Sequence, residues 1–145
     1  MFEDTANTTI AHIIQLAVTP TFMLTAIGAM LGVMTSRLSR IIDRSRVLEV
    51  LMPTDSSAKN LIDAEMLALS RRGKYVNLAI TLCTITALLI SSVIAVLFLG
   101  TFTAFNASIP VAVLFVAAML TFIVALLCFL KEILIATSSM RIGRR

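Results

Sequence analysis

The residues with chemistry to offer are few, and they crowd into one stretch. A single carboxylate, Asp43, stands among Arg37, Arg40, Arg44 and Arg46. It lies three residues from both Arg40 and Arg46, which is pairing reach on a helix. Such a cluster can be a helix-surface salt-bridge network, in which many ion pairs contribute little. That reading is favoured; its alternative is a lipid-headgroup site, or an anion-attracting vestibule where several copies surround an axis. One carboxylate among four arginines leads us to expect a specific buried pair between helices at Asp43. Just upstream, on a helix turning about 100° per residue, Thr21, Thr25, Gly28, Gly32, Ser36 and Ser39 fall with Asp43 and Arg46 inside a wedge of about 80°. This is a ridge of small and hydroxyl side chains. Gly28 and Gly32 form a G-x-x-x-G pair, which lets another backbone come close. The ridge reads as close helix packing, within the chain or between copies; its alternative is the lining of a water-filled path with hydroxyl ion ligands. Pro20, at the head of the ridge, removes a backbone donor and favours a kink.

Catalytic machinery is missing. Hydrolysis inside a membrane needs a nucleophile with its base, paired carboxylates or a metal triad. His12 is the single histidine; it stands beside Gln15 near one end of the first apolar run and reads as a polar interfacial residue. There is no H-E-x-x-H, no aspartate pair and no phosphate-cradling glycine loop. Cys83 and Cys128 lie in apolar runs without C-x-x-C spacing, so neither a disulfide framework nor a metal site is expected. No carboxylate falls mid-run, where a proton-coupled carrier would place one. The expectation is a non-enzyme without cofactor or metal. A channel survives, because hydroxyls and carbonyls suffice to line one.

The elements that must position these residues follow from composition. Of 145 residues, 59% are hydrophobic and 14% charged, with a mean hydropathy of +1.00. Soluble domains average roughly 45–50% apolar and about 25% charged. A chain this small cannot bury that much apolar surface in a core of its own. Membrane helices need about 20 consecutive apolar residues. Three runs qualify, at residues 10–34, 76–99 and 109–130, and none contains Lys, Arg, Asp or Glu. Period-two alternation is absent, which excludes membrane strands. The fold class is therefore all-α, an integral membrane protein with three spans in a single domain.

Charge is sorted along this frame. All 12 Lys and Arg lie either between spans one and two or after span three. The N-terminal tail has Glu3 and Asp4 and no base. Cytoplasmic segments carry the Lys/Arg excess. This places the N-terminus outside and the long loop and C-terminus inside, with anionic lipid headgroups as partners on the cytoplasmic side. No basic stripe with interleaved aromatics occurs, so nucleic acid is not an expected partner. The first apolar run lacks a basic n-region and an A-x-A-like site, and reads as a span rather than a leader.

Residues 36–74 read as a helical hairpin. Leu38, Ile41, Ile42, Leu48, Leu51 and Met52 have helical spacing, and no Gly or Pro separates them from span one. Span one should thus continue into the cytoplasm as one long helix. Pro53 to Ser57 is a stop, turn and N-cap sequence. A second helix over 58–72 carries Leu61, Ile62, Met66 and Leu69 on one side, and Gly73 is a candidate break or bend before span two. Span two bears a hydroxyl and amide row at Asn77, Thr81, Thr84 and Ser91. Span three bears Thr121, Ala125, Cys128 and Glu132, spaced i, i+4, i+7 and i+11. Both rows read as packing. Asn106-Ala-Ser108 fits the glycosylation pattern.

The run from Gln15 to Arg46 carries a resemblance. It reads Gln15-Leu-Ala-Val-Thr19-Pro20-Thr-Phe-Met-Leu, then Gly28-Ala-Met-Leu, then Arg37-Leu-Ser-Arg40-Ile-Ile-Asp43-Arg44-Ser-Arg46. This resembles an uncharacterised family of small bacterial membrane proteins, a domain of unknown function. Its members are similar in a Thr-Pro motif in span one, an Arg-Leu-x-Arg-Ile-x-Asp-Arg-x-Arg motif after it, and two further spans. The resemblance implies a bacterial inner-membrane location and makes Thr19, Pro20, Arg37, Arg40, Asp43, Arg44 and Arg46 signature positions. It implies no chemistry.

Two functions are carried forward. One is a non-enzymatic homo-oligomer with a structural or regulatory role. The alternative is a small homo-oligomeric ion channel, with the ridge lining an axial path and the arginines near its cytoplasmic mouth. Three spans make too thin a wall for a pore in one chain.

Overall fold

A computed structural model describes residues 2–50, 56–102 and 108–142, and all of them are helical. The order is α1 (Phe2–Val50), α2 (Ser56–Phe102) and α3 (Ser108–Ile142). Each helix holds a segment long and apolar enough to cross a membrane, within Ile14–Val50, Lys59–Gly100 and Ser108–Thr137. Large apolar side chains on all three face outward, Phe22, Leu88 and Leu120 among them. Surface of that kind is stable against lipid and not against water. The three apolar helices thus mark a membrane protein.

Helix is the form such segments must take, because in lipid every backbone polar group needs an internal partner. Side-chain hydroxyls obey the same demand. Thr21, Thr35, Thr81, Ser91, Ser92, Thr121 and Thr137 each donate to the carbonyl four residues back, at 2.7–3.0 Å. Pro20 sits inside α1, which continues unbroken on both sides of it. Pro110 lies in the first turn of α3, where a missing N–H costs nothing.

The expected break at Gly73 is not there: α2 runs straight through it. Gly73 instead faces α1, and a Cβ added there would meet Ile41 Cγ2 at 3.8 Å. A helix needs no positive φ, and no glycine among the described residues adopts one. The turn at Pro53 to Asp55 and the Asn106 pattern lie outside the described residues.

The chain divides into two compact units, Met1–Met30 with Cys83–Ile123, and Leu31–Leu82 with Val124–Arg145. In the first, the buried residues are Ala17, Pro20 and Ile27 of α1, Cys83, Thr86, Ile90 and Val93 of α2, and Ala118 of α3. In the second they are Met34, Ile41 and Leu48, then Leu69, Val76 and Ala79, then Ala125, Phe129 and Glu132. Their spacing has one rule. Pro20, Ile27, Met34, Ile41 and Leu48 recur every seven residues, as do Leu69, Val76, Cys83 and Ile90. A seven-residue period keeps one narrow seam of a helix turned inward. On α3 the row is Ala118, Ala125 and Glu132. A carboxylate thus occupies a core position.

Candidate functional site

Glu132 has no exposed surface. A carboxylate taken wholly out of water must be paired, since its desolvation costs several kcal/mol. Two arginines of the second unit supply the pairing, one from each of the other helices. Arg72 of α2 approaches Oε1 through Nη2 at 2.9 Å and Nε at 3.3 Å. Arg37 of α1 approaches Oε2 through Nη1 at 3.3 Å. Both carboxylate oxygens are therefore engaged by charge-assisted bonds, the stronger class of hydrogen bond. Arg37 is also held from below, its Cζ lying 5.4 Å from the centroid of the buried Phe129 ring. That is cation–π range, and Phe129 stands one turn before Glu132 on the same face.

A second pair lies further along α1. Arg44 donates through Nε and Nη2 to Glu65 Oε1 at 3.0 and 2.9 Å. Its partners are about half exposed, at 53% and 44%, so it is a surface pair. The two arginine–glutamate arrangements border one open cavity of about 380 Å³, lined by Arg37, Arg40, Arg44, Arg72 and Glu132 with Ile41, Leu69 and Ala136.

Asp43 takes no part. It is exposed and joins none of the ion pairs among the described residues. The expected buried pair at Asp43 is thus corrected: the buried acid is Glu132. The reason is helical phase. Asp43 follows the buried Ile41 by two residues, about 200° around the helix, so it points away from the core. Arg37 precedes Ile41 by four residues and Arg44 follows it by three, so both return to the core side. Arg46 is exposed on the far side with Asp43.

The ridge shows the same phase. In the first unit Thr21, Thr25 and Gly28 are exposed; in the second, Gly32, Ser36 and Ser39 are exposed. A Cβ built on Gly28 or Gly32 meets nothing within 4 Å. Gly28 and Gly32 thus have no close neighbour among the described residues, while Thr21 and Thr25 border an open pocket with Ile94 and Phe98 of α2. The ridge residue Thr25 lies five positions past Pro20, about 140° around α1 from the buried row. His12 and Gln15 are exposed as well.

Sequence reasoning named Glu132 only as the end of a packing row and missed Arg72 as its partner. The signal was available: Glu132 stands seven residues beyond Ala125 on a face otherwise apolar. Beside this geometry stands one comparison. The family model described as a protein of unknown function (DUF2721) matches residues 17–142. The chain belongs to that family. The DUF2721 match takes in Arg37, Arg72 and Glu132, so the whole clasp falls within the family's domain. No curated protein and no solved structure matches the chain.

Proposed function

We propose that this DUF2721 chain is a non-enzymatic, homo-oligomeric protein of a bacterial inner membrane, with a structural or regulatory role. The observation that carries the reading is the bare ridge on α1. Thr25, Gly32 and Ser39 recur every seven residues, the same period as the buried row of that helix. A second seam of that period, small-sided and exposed, fits a helix of another copy. Small residues in contact with lipid alone would gain nothing from their size. The non-enzymatic reading rests on the sequence, which offers no H-E-x-x-H, aspartate pair or phosphate-cradling glycine loop.

The orientation proposed is N-terminus outside and C-terminus inside, on the sorting of Lys and Arg. The segment around residues 36–74 would then form a cytoplasmic helical hairpin, available to a partner. A small channel built by several copies is the second reading, favoured by the exposed hydroxyls of Thr21, Thr25, Ser36 and Ser39 on the same face.

Subunit counting by photobleaching of fluorescent protein in liposomes tests the oligomer. More than one step per particle at high dilution is the expected result; single steps throughout would overturn it. Ion flux in the same liposomes, lost on Gly28→Leu, would move the reading to the channel.

A further inference from the structure

We infer that the arginine cavity of the second unit is a binding site for a phosphate-bearing anion. Four guanidinium groups and one carboxylate, Glu132, line it; with Glu65, outside the lining, paired to Arg44, the ion pairs leave two positive charges over. The donors are not exhausted either. A guanidinium carries five N–H groups. Arg37 spends one on Glu132, Arg72 two, and Arg44 two on Glu65. Arg40 spends none on an ion pair among the described residues. The planar fork of arginine matches phosphate bidentately.

The acid and the ring act as positioning groups. Glu132 and Phe129 fix Arg37, Glu132 fixes Arg72, and Glu65 fixes Arg44, so three of the four cations are oriented before any ligand arrives. Ordering long side chains in advance lowers the entropy cost of binding. The cavity's ~380 Å³ lies in the range of small-ligand sites, roughly 300–1,000 Å³. Ile41, Leu69 and Ala136 add an apolar wall, which suits a group carrying both phosphate and hydrocarbon.

Its level in the chain narrows the source. Arg37, Arg72 and Glu132 stand within four residues of the ends of the charge-free runs that close at 34, open at 76 and close at 130. That is headgroup depth. A lipid phosphate and a free phosphate share the recognition chemistry, and the surrounding bilayer is the nearer supply. The site lies within one chain and does not depend on oligomerisation.

Full-length protein should be reconstituted in nanodiscs of mixed phosphatidylglycerol and phosphatidylcholine and its retained lipids weighed by native mass spectrometry. In parallel, inorganic phosphate should be titrated against the protein in neutral detergent while its Tm is followed. Wild type is expected to retain phosphatidylglycerol over phosphatidylcholine. Arg40→Gln should weaken that preference about fivefold, the loss of one cation near a charged surface. Lys59→Gln, an exposed cation outside the cavity, should leave it unchanged. A Tm rise with inorganic phosphate that Arg40→Gln abolishes, without lipid preference, would keep the site and assign it a soluble ligand. No preference in either arm, or equal losses in Arg40→Gln and Lys59→Gln, would overturn the inference.

Discussion

Arg72 Nη2 lies 2.9 Å from an Oε1 of Glu132 that no water reaches. One core position of α3 is thereby tied to α2, and through Arg37 to α1, at a single level of the second unit. The desolvation cost of such a carboxylate can exceed its Coulombic gain, so the clasp is better understood as fixing register than as adding stability. Apolar rows of period seven slide past one another by whole heptads at little cost. A charge that must meet two arginines does not.

Removing one member of the clasp should be costly. Glu132→Gln is expected to lower unfolding stability by about 3 kcal/mol, the scale for breaking a buried pair. The triple change Arg37→Leu, Arg72→Leu and Glu132→Leu should come back close to wild type. Reversible unfolding in mixed micelles measures both. A harmless Glu132→Gln would show that the pair carries no constraint.

The Arg44–Glu65 pair should behave differently. It is half exposed, so Glu65→Gln is expected to cost no more than about 1 kcal/mol, and less in high salt. A double-mutant cycle on the two residues, run at low and high ionic strength, checks this; coupling as large as at Glu132 would refute the distinction.

Gly73→Ala should stabilise the protein. Glycine in mid-helix costs roughly 0.5–1 kcal/mol relative to alanine. The new methyl would meet Ile41 Cγ2 at 3.8 Å, ordinary contact rather than a clash. A fall in Tm would mean that α1 and α2 lie closer together there.

Topology can be tested with cysteines introduced at Ala104 and Ser56, after Cys83→Ser and Cys128→Ser remove the two native thiols. An impermeant maleimide added outside should label position 104 and miss position 56. The reverse pattern would invert the orientation.

Much of this fold is legible in the sequence, and the reason is physical. Lipid tolerates neither charge nor unpaired backbone, so three charge-free runs announce three helices. The unbroken passage of α1 past Met34 is legible too, because no Gly or Pro interrupts it. The site was harder to read. Asp43 is surrounded by arginines along the chain, yet two residues of phase turn it away from Ile41 and the core. Glu132 stands beside Lys131 alone, and its partners are 95 and 60 residues distant. Only the seven-residue row through Ala118 and Ala125 marks it as buried. That row becomes visible once the register of each helix is known. Gly73 misled for a related reason. In a soluble loop it marks a break; here it sits in mid-helix facing Ile41 of α1, with room for a methyl.

The central claim is that copies of the chain meet along the bare face of α1, and disulfide cross-linking in native membranes tests it most directly. With Cys83→Ser and Cys128→Ser as background, Gly28→Cys and Gly32→Cys should each give a cross-linked dimer under mild oxidation. Val33→Cys should not: Val33 is half exposed but lies about 100° off the ridge. Equal cross-linking at position 33, or none at positions 28 and 32, would contradict the account.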